Sequence, residues 1–407
     1  MTCSTPSPPP EGRLLHAGHR PAPSLLRSVA PEGTPMPSLD RTHSASPSPS
    51  AGRPSRRGFL ALGGLAAMTP VLAACGAGGT TSQETKPIAD GVPQQLRFAV
   101  IGSGKTGIHA ALRYRMNGLD LGETLGGTKV SWPSGFTASL PVMEAFKAGS
   151  VDFSFATATA VAYAVGGDVP IVPLAAYPLP GSEVEILVPR GSGIRGAADL
   201  KGARIADQKG TTGTYSLIKY LETAGLRLDD VDYVDLPAAD AESAFANGKV
   251  DAWISWQPAI GLAKARHRAR SLPGVRTYDY SFYVASESFA KDYPEAVAKT
   301  VRAVRDAQRA INKSPVKSVD FFDGIGGFGS TDLEREVYLE LTRKKLLSDS
   351  NADALAVVDR KAVKSTQDLA DNFHDLGVYP SGIDVTGFLQ DTRFDSVRKA
   401  VAAELAK

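Results

Sequence analysis

The stretch Glu144-Ala145-Phe146-Lys147-Ala148-Gly149-Ser150-Val151-Asp152-Phe153 decides the fold, because its core returns 99 positions later. Ala145-Phe146-x-x-Gly149-x-Val151-Asp152 reappears as Ala244-Phe245-x-x-Gly248-x-Val250-Asp251. Each copy reads as a helix end, a glycine able to take the left-handed conformation, and then a buried strand. Five identities in register make this a shared supersecondary unit, one copy in each of two lobes. A polar loop that begins another helix follows each strand: Ala156-Thr157-Ala158-Thr159 in the first, Ser255-Trp256-Gln257-Pro258 in the second. Ligands of open parallel sheets sit outside the carboxyl ends of strands, so the two loops point to a cleft between the lobes.

Working outward, β-rich runs alternate with helical patterns from Leu96 onward, which predicts an α/β protein with largely parallel sheets. The strand candidates are 96–101, 129–132, 151–155, 171–174, 184–188, 204–206, 232–235, 251–255 and 282–284. Helical periodicity is clearest over 138–147, 215–224, 242–247, 257–268 and 294–311, and 331–407 is almost entirely helical in pattern. Roughly 310 folded residues exceed what one hydrophobic core supports, which again predicts two lobes.

Upstream lies a different kind of sequence. Ser55-Arg56-Arg57-Gly58-Phe59-Leu60 and a short apolar run ending at Leu72-Ala73-Ala74-Cys75-Gly76 read as a twin-arginine export signal fused to a lipoprotein cleavage box. The apolar run is too short to span a membrane and is broken by Gly63, Gly64 and Pro70. Residues 1–75 are thus expected to be a disordered leader, with Met36 an alternative start, cleaved before Cys75 so that this cysteine takes a lipid. Residues 76–93 form a Gly/Thr/Ser/Gln tether. Of 45 basic and 43 acidic residues, 7 and 3 fall in the leader, so the remainder is near neutral and carries no electrostatic footprint for nucleic acid. The only other cysteine, Cys3, lies in the leader. Disulfides, cysteine-type zinc sites and thiol catalysis are excluded from the mature chain.

Gly102-Ser103-Gly104-Lys105-Thr106 after the first strand invites a nucleotide reading, but the phosphate loop needs a glycine where Ala99 stands. What remains is its physics: a glycine-rich turn feeding a helix start presents free N–H groups to an anion. Pro133-Ser134-Gly135-Phe136-Thr137 and Lys209-Gly210-Thr211-Thr212-Gly213-Thr214 have the same composition. Each alone reads rather as plain helix capping; three on one face favour an anion site. His109, His267 and His374 are widely spaced and read as surface or capping residues, so no metal is expected. No nucleophile elbow is present. Trp132 and Trp256, at strand ends, line either a cleft or the core.

These pieces resemble a known family, the solute-binding proteins of ABC importers for aliphatic sulfonates, taurine and nitrate. The matching segments are Trp132-Pro133-Ser134-Gly135, the 144–153 stretch, Ile186-Leu187-Val188-Pro189, Ala198-Asp199-Leu200-Lys201-Gly202, Lys209-Gly210-Thr211, Leu236-Pro237-Ala238-Ala239-Asp240-Ala241 and Val250-Asp251-Ala252-Trp253-Ile254-Ser255-Trp256. The resemblance implies a type II periplasmic-binding-protein fold, two α/β lobes with a ligand cleft between them. Residues 94–181 and 280–407, with the helical tail, would form one lobe and 182–279 the other. It implies a lipid-anchored, monomeric binding protein on the outer face of the cell membrane that hands a small organic anion, a sulfonate above all, to a permease and its ATPase. No enzymatic role and no cofactor are expected. Nitrate, bicarbonate or a pyrimidine vitamin precursor is the alternative ligand, and a carbon–sulfur hydrolase of the same fold is disfavoured by the cysteine-free mature chain.

Helix starts and hydroxyls of Ser103, Ser134, Thr211 and Thr212 are expected to hold the anionic head, with Trp256 over the apolar part. Lys105, Gly135, Thr157, Thr159, Lys209, Gly210 and Gln257 complete the expected site. Thr157-Ala158-Thr159 and Trp256-Gln257-Pro258-Ala259 stand where relatives often carry acidic or aromatic groups, and Thr214 replaces a frequent histidine. With only Asp240 left as a candidate carboxylate, alkane- or arylsulfonates are expected to bind better than taurine.

Overall fold

The computed structural model describes residues 91–329 and 332–407; the twin-arginine segment, Cys75 and most of the tether lie outside the described residues. The chain runs through β1 (Gln95–Arg97), α1 (Gly107–Arg113), α2 (Leu121–Thr124), β2 (Lys129–Ser131), α3 (Ser139–Lys147), β3 (Phe153–Thr157), α4 (Ala158–Gly166) and β4 (Ile171–Pro178). It crosses to β5 (Val184–Pro189), β6 (Arg204–Asp207), α5 (Thr212–Glu222), β7 (Asp232–Asp235), α6 (Ala238–Ala246), β8 (Ala252–Trp256), α7 (Ala259–Arg266) and β9 (Ala269–Ser271). It returns as β10 (Tyr280–Ser286), followed by α8 (Glu287–Asp292), α9 (Pro294–Lys313), α10 (Pro315–Gly324), α11 (Asp332–Arg343), β11 (Ala356–Val357), α12 (Arg360–Asp375), α13 (Val385–Leu389) and α14 (Asp395–Leu405).

One sheet has the order β11-β4-β10-β3, and the β1-β2 pair joins it through a parallel bridge between Phe98 and Phe153. The other has the order β7-β6-β8-β5-β9. Apolar clusters cover both faces of each sheet. The expectation of largely parallel sheets needs correction: five of the eight strand pairings among the described residues are antiparallel, that of the short β11 with β4 included. β10 lies antiparallel between β3 and β4, and β5 is antiparallel to both β8 and β9. These are the strands by which the chain enters each sheet from the other lobe, through the short segments 179–183 and 272–279 rather than a crossover helix. Parallel neighbours require such a crossover. The two crossings pair with each other: Leu179 N–H donates to Asp279 O at 3.0 Å and Thr277 N–H to Gly181 O at 2.9 Å.

The sequence echo has a structural counterpart in detail. Gly149 (φ +64°) and Gly248 (φ +67°) take the left-handed conformation. Ser150 N–H then reaches back to Ala145 O, and Lys249 N–H to Ala244 O, both at 2.9 Å. Phe146 and Phe245 are buried, and each contributes roughly 2 to 3 kcal/mol by leaving water. Asp152 and Asp251 each receive a forked guanidinium and the backbone N–H of an arginine on the neighbouring parallel strand. Asp152 Oδ2 accepts from Arg97 N at 2.8 Å and Asp251 Oδ2 from Arg204 N at 2.9 Å. This commitment explains why β3 and β8 begin at Phe153 and Ala252, later than Val151 and Asp251.

The tail reaches the second lobe on two sides. From α12, Phe373 meets Tyr215 of α5 edge-on at 6.0 Å, and Lys219 donates to Asn372 at 3.3 Å. From α11, Glu334 pairs with Arg266 of α7. β9 and β11 were not expected; they are three and two residues long, too short to show a period.

Candidate functional site

A cavity of about 530 Å³ opens between the two sheets. Six strand-to-helix junctions supply much of its wall: those leading into α1, α3 and α4 from one lobe, and into α5, α6 and α7 from the other. Each helix start carries N–H groups without an intrahelical acceptor and a partial positive charge. No lysine or arginine is among the described residues lining the cavity. Any anion there would be held by backbone and neutral donors.

The expected site residues divide into two groups. Ser103, Gly135, Thr157 and Thr159 of one lobe and Thr211, Thr212, Trp256 and Gln257 of the other line the cavity. Lys105, Ser134, Lys209 and Gly210 do not. The Lys105 ammonium lies toward Gly326, Ser134 and Lys209 are exposed, and Gly210 is buried, with room for a Cβ only against Leu140, which itself stands on the cavity wall. Neighbours on a tight turn point in different directions, so composition alone cannot assign all of them to one face. Trp132 stacks on Phe98 at 5.1 Å as part of the core, whereas Trp256 is half-buried on the cavity wall.

Several hydroxyls are already engaged. Thr211 Oγ1 donates to Gln208 O at 2.8 Å, Thr212 Oγ1 to Asp279 Oδ2 at 2.7 Å, and Thr214 Oγ1 to Asp207 Oδ2 at 2.5 Å. Thr157 and Thr159 share a hydrogen bond at 2.8 Å. Thr211 and Thr157 also commit their backbone N–H groups, to Thr214 Oγ1 at 3.3 Å and to Ser139 Oγ at 3.4 Å, which leaves the N–H groups of Thr159 and Thr212 as what these residues offer an anion. Gln257, buried, accepts from Gly261 N–H at 3.1 Å and fixes the start of α7.

The expected absence of acids is corrected by two residues that sequence reasoning passed over. Glu183, on the first crossing, and Asp349, in the tail between α11 and β11, both line the cavity. Glu183 is 3% exposed and its Oε2 has no partner among the described residues. Burial, and secondarily the charge of Asp349, pushes its carboxyl well above the usual range. Burial raises Asp349 to about 6 against the opposing pull of the Ile108 N–H. A Cβ on Gly107 would come within 3.0 Å of Asp349 Oδ2 and 3.4 Å of Tyr338 Oη, so only glycine permits this approach. Asp240, the carboxylate left as a candidate, is exposed in the first turn of α6 and does not line the cavity. His109 is neither a surface nor a capping residue: it lies edge-on to Phe98 at 5.1 Å, lines the cavity, and is pushed down to about 4 by burial. His267 caps α7 and faces Glu242. Among the described residues, no cluster of His, Cys, Asp and Glu could hold a metal ion, and no helix is long and apolar enough to cross a membrane.

Two α/β lobes joined by paired crossings, with helix starts from both converging on one cavity, define a two-lobed substrate-binding protein of the periplasmic-binding-protein fold. The NMT1/THI5-like family model matches residues 137–318. A protein of Escherichia coli K12 named as an aliphatic sulfonates-binding protein is 27% identical over 73% of this chain and 89% of its own. Its namesake in Bacillus subtilis 168 is 28% identical over 81% and 93%. The solved structure of the alkanesulfonate-binding protein SsuA from Xanthomonas axonopodis pv. citri, bound to MOPS, superposes with a TM-score of 0.63 at 25% identity, covering 74% of this chain and 98% of that one. Over most of the described residues the chain is thus similar to sulfonate-binding proteins of ABC importers, and it shares their fold.

Proposed function

We propose that the chain is an exported, lipid-anchored binding protein that captures a small organic sulfonate and delivers it to the permease of an ABC importer. The observation that carries the reading is the convergence of six helix starts on a cavity whose described lining has no lysine or arginine. A sulfonate stays ionised at physiological pH, and neutral donors at helix starts suit it, each contributing about 0.3 to 1 kcal/mol and more when partly buried. Trp256 and Phe155 give the organic part an apolar surface. The names of the relatives support the same ligand class. Export and anchoring rest on Arg56-Arg57 and Cys75.

Calorimetric titration of the purified chain with ethanesulfonate, benzenesulfonate, taurine and nitrate tests the ligand class. At least one sulfonate should bind near the micromolar range, about −8 kcal/mol. No binding by any of the sulfonates would refute the assignment. Arg56→Lys with Arg57→Lys should block export, and Cys75→Ala should abolish lipid attachment; an unlipidated wild-type protein in the cytoplasm would refute the localisation.

A further inference from the structure

The cavity is chemically two-sided. Helix starts offer N–H groups on its walls, while Glu183 and Asp349 present carboxyl groups from the crossing and the tail. Glu183 is almost wholly buried, yet its Oε2 finds no partner among the described residues. Asp349 lies against the start of α1 beside the Tyr338 hydroxyl and keeps part of its surface in the cavity. No lysine or arginine lines the cavity among the described residues, and burial holds the one lining histidine, His109, neutral near pH 7. Buried carboxylates are ordinarily paired; here the described residues supply no cation to pair them.

We propose that Glu183 and Asp349 form a subsite for a positively charged nitrogen of the ligand, so that the ligand is an organic anion carrying a protonated amine rather than a plain alkanesulfonate. This rests on reading the cavity as a sulfonate site and narrows the ligand within that reading. The anionic end is held by helix starts and the cationic end by the two carboxylates. An ammonium group arriving beside Glu183 favours its ionised form, so binding of such a ligand near pH 7 releases a proton to solvent. A plain sulfonate gives no such release and meets the like charge of Asp349.

Taurine and ethanesulfonate differ by the ammonium group alone. Titrated into the full chain near pH 7, in two buffers of different ionisation enthalpy, taurine should bind at least tenfold tighter and release a proton, and ethanesulfonate should not. Glu183→Gln should lower taurine affinity at least tenfold and abolish the proton release. Asp349→Asn should weaken taurine and strengthen ethanesulfonate, reversing the preference, and ethanesulfonate binding by this variant shows that it is folded. Ethanesulfonate binding as tightly as taurine to the wild-type chain would overturn the cation subsite and leave the sulfonate reading standing. Binding of neither would overturn the cation subsite, and the sulfonate reading with it if benzenesulfonate also fails to bind.

Discussion

Replacing Asp279 by asparagine should flatten the fall in stability between mildly acidic and neutral pH. Asp279 ends the return crossing, just before β10, and is 3% exposed. It accepts from Thr212 Oγ1 at 2.7 Å and from Tyr280 N–H at 2.7 Å, and also from the Ala158 N–H at the start of α4. One carboxyl thus ties the starts of α4 and α5, one from each lobe. Burial outweighs these donors and raises the group from 3.8 to about 7. In the unfolded chain it titrates near 4. Since the native state holds the proton more tightly, the contribution to stability is fully present below about pH 4. It declines as pH rises and is lost above about pH 7. A rise of about three units corresponds to about 4 kcal/mol.

Asparagine cannot titrate. At pH 4.5 the variant should be less stable than wild type, because its NH₂ faces donors where a carboxyl oxygen accepted, at a cost of about 1 to 3 kcal/mol. By pH 8 that deficit should vanish or reverse. Asp207, buried beneath Thr214 and Tyr233 and also raised to about 7, remains in both proteins and gives them a shared slope. Differential scanning calorimetry from pH 4.5 to 8.5 measures the separation of the two Tm curves. Parallel curves would show that Asp279 does not carry a proton in the native state near neutrality, and the reasoning from burial would fail.

Asp152→Ala should cost more than Asp251→Ala. Both remove a forked arginine and a backbone acceptor, but the Asp152 side chain is 9% exposed against 40% for Asp251. About 3 kcal/mol is expected for the first and about 1 kcal/mol for the second in denaturant titrations, and equal losses would contradict the burial argument. Tyr215→Ala, outside the cavity, should weaken ligand binding about fivefold, because a closed two-lobed state would lose the Tyr215–Phe373 contact, worth about 1 kcal/mol. Small-angle scattering of the wild type with and without saturating taurine or ethanesulfonate should show compaction; unchanged curves with a ligand that binds would argue against closure.

Much of the architecture was legible because it is local. A helix end, a left-handed glycine and a strand leave a contiguous signature, and the echo between Ala145–Asp152 and Ala244–Asp251 marks equivalent units whose aspartates make equivalent arginine contacts. The reversal of β5 and β10 was not legible, since the direction of a strand depends on where the chain comes from rather than on its residues. The site divides along the same line. Strand-to-helix junctions announce themselves by glycine, serine and threonine, so the sequence could indicate where unpaired N–H groups gather. It could not indicate that Lys105, Ser134 and Lys209 turn away from the cavity, because adjacent residues on a turn look alike in composition.

Glu183 and Asp349 carried no local mark of burial. One follows Pro180-Gly181-Ser182, which reads as an ordinary polar turn, and the other lies in Ser348-Asp349-Ser350 within a tail read as helical. Their significance appears only when the crossing and the tail are brought to the same cavity from positions 166 residues apart. Thr159 and Gln257, standing where relatives often have acids, suggested a cavity without negative charge; the fold supplies that charge from elsewhere. The placement of backbone donors is a local property that sequence can report. The sum of charges facing a ligand is a property of the assembled lobes, and it is this sum that separates a plain anion from one that also carries a cation.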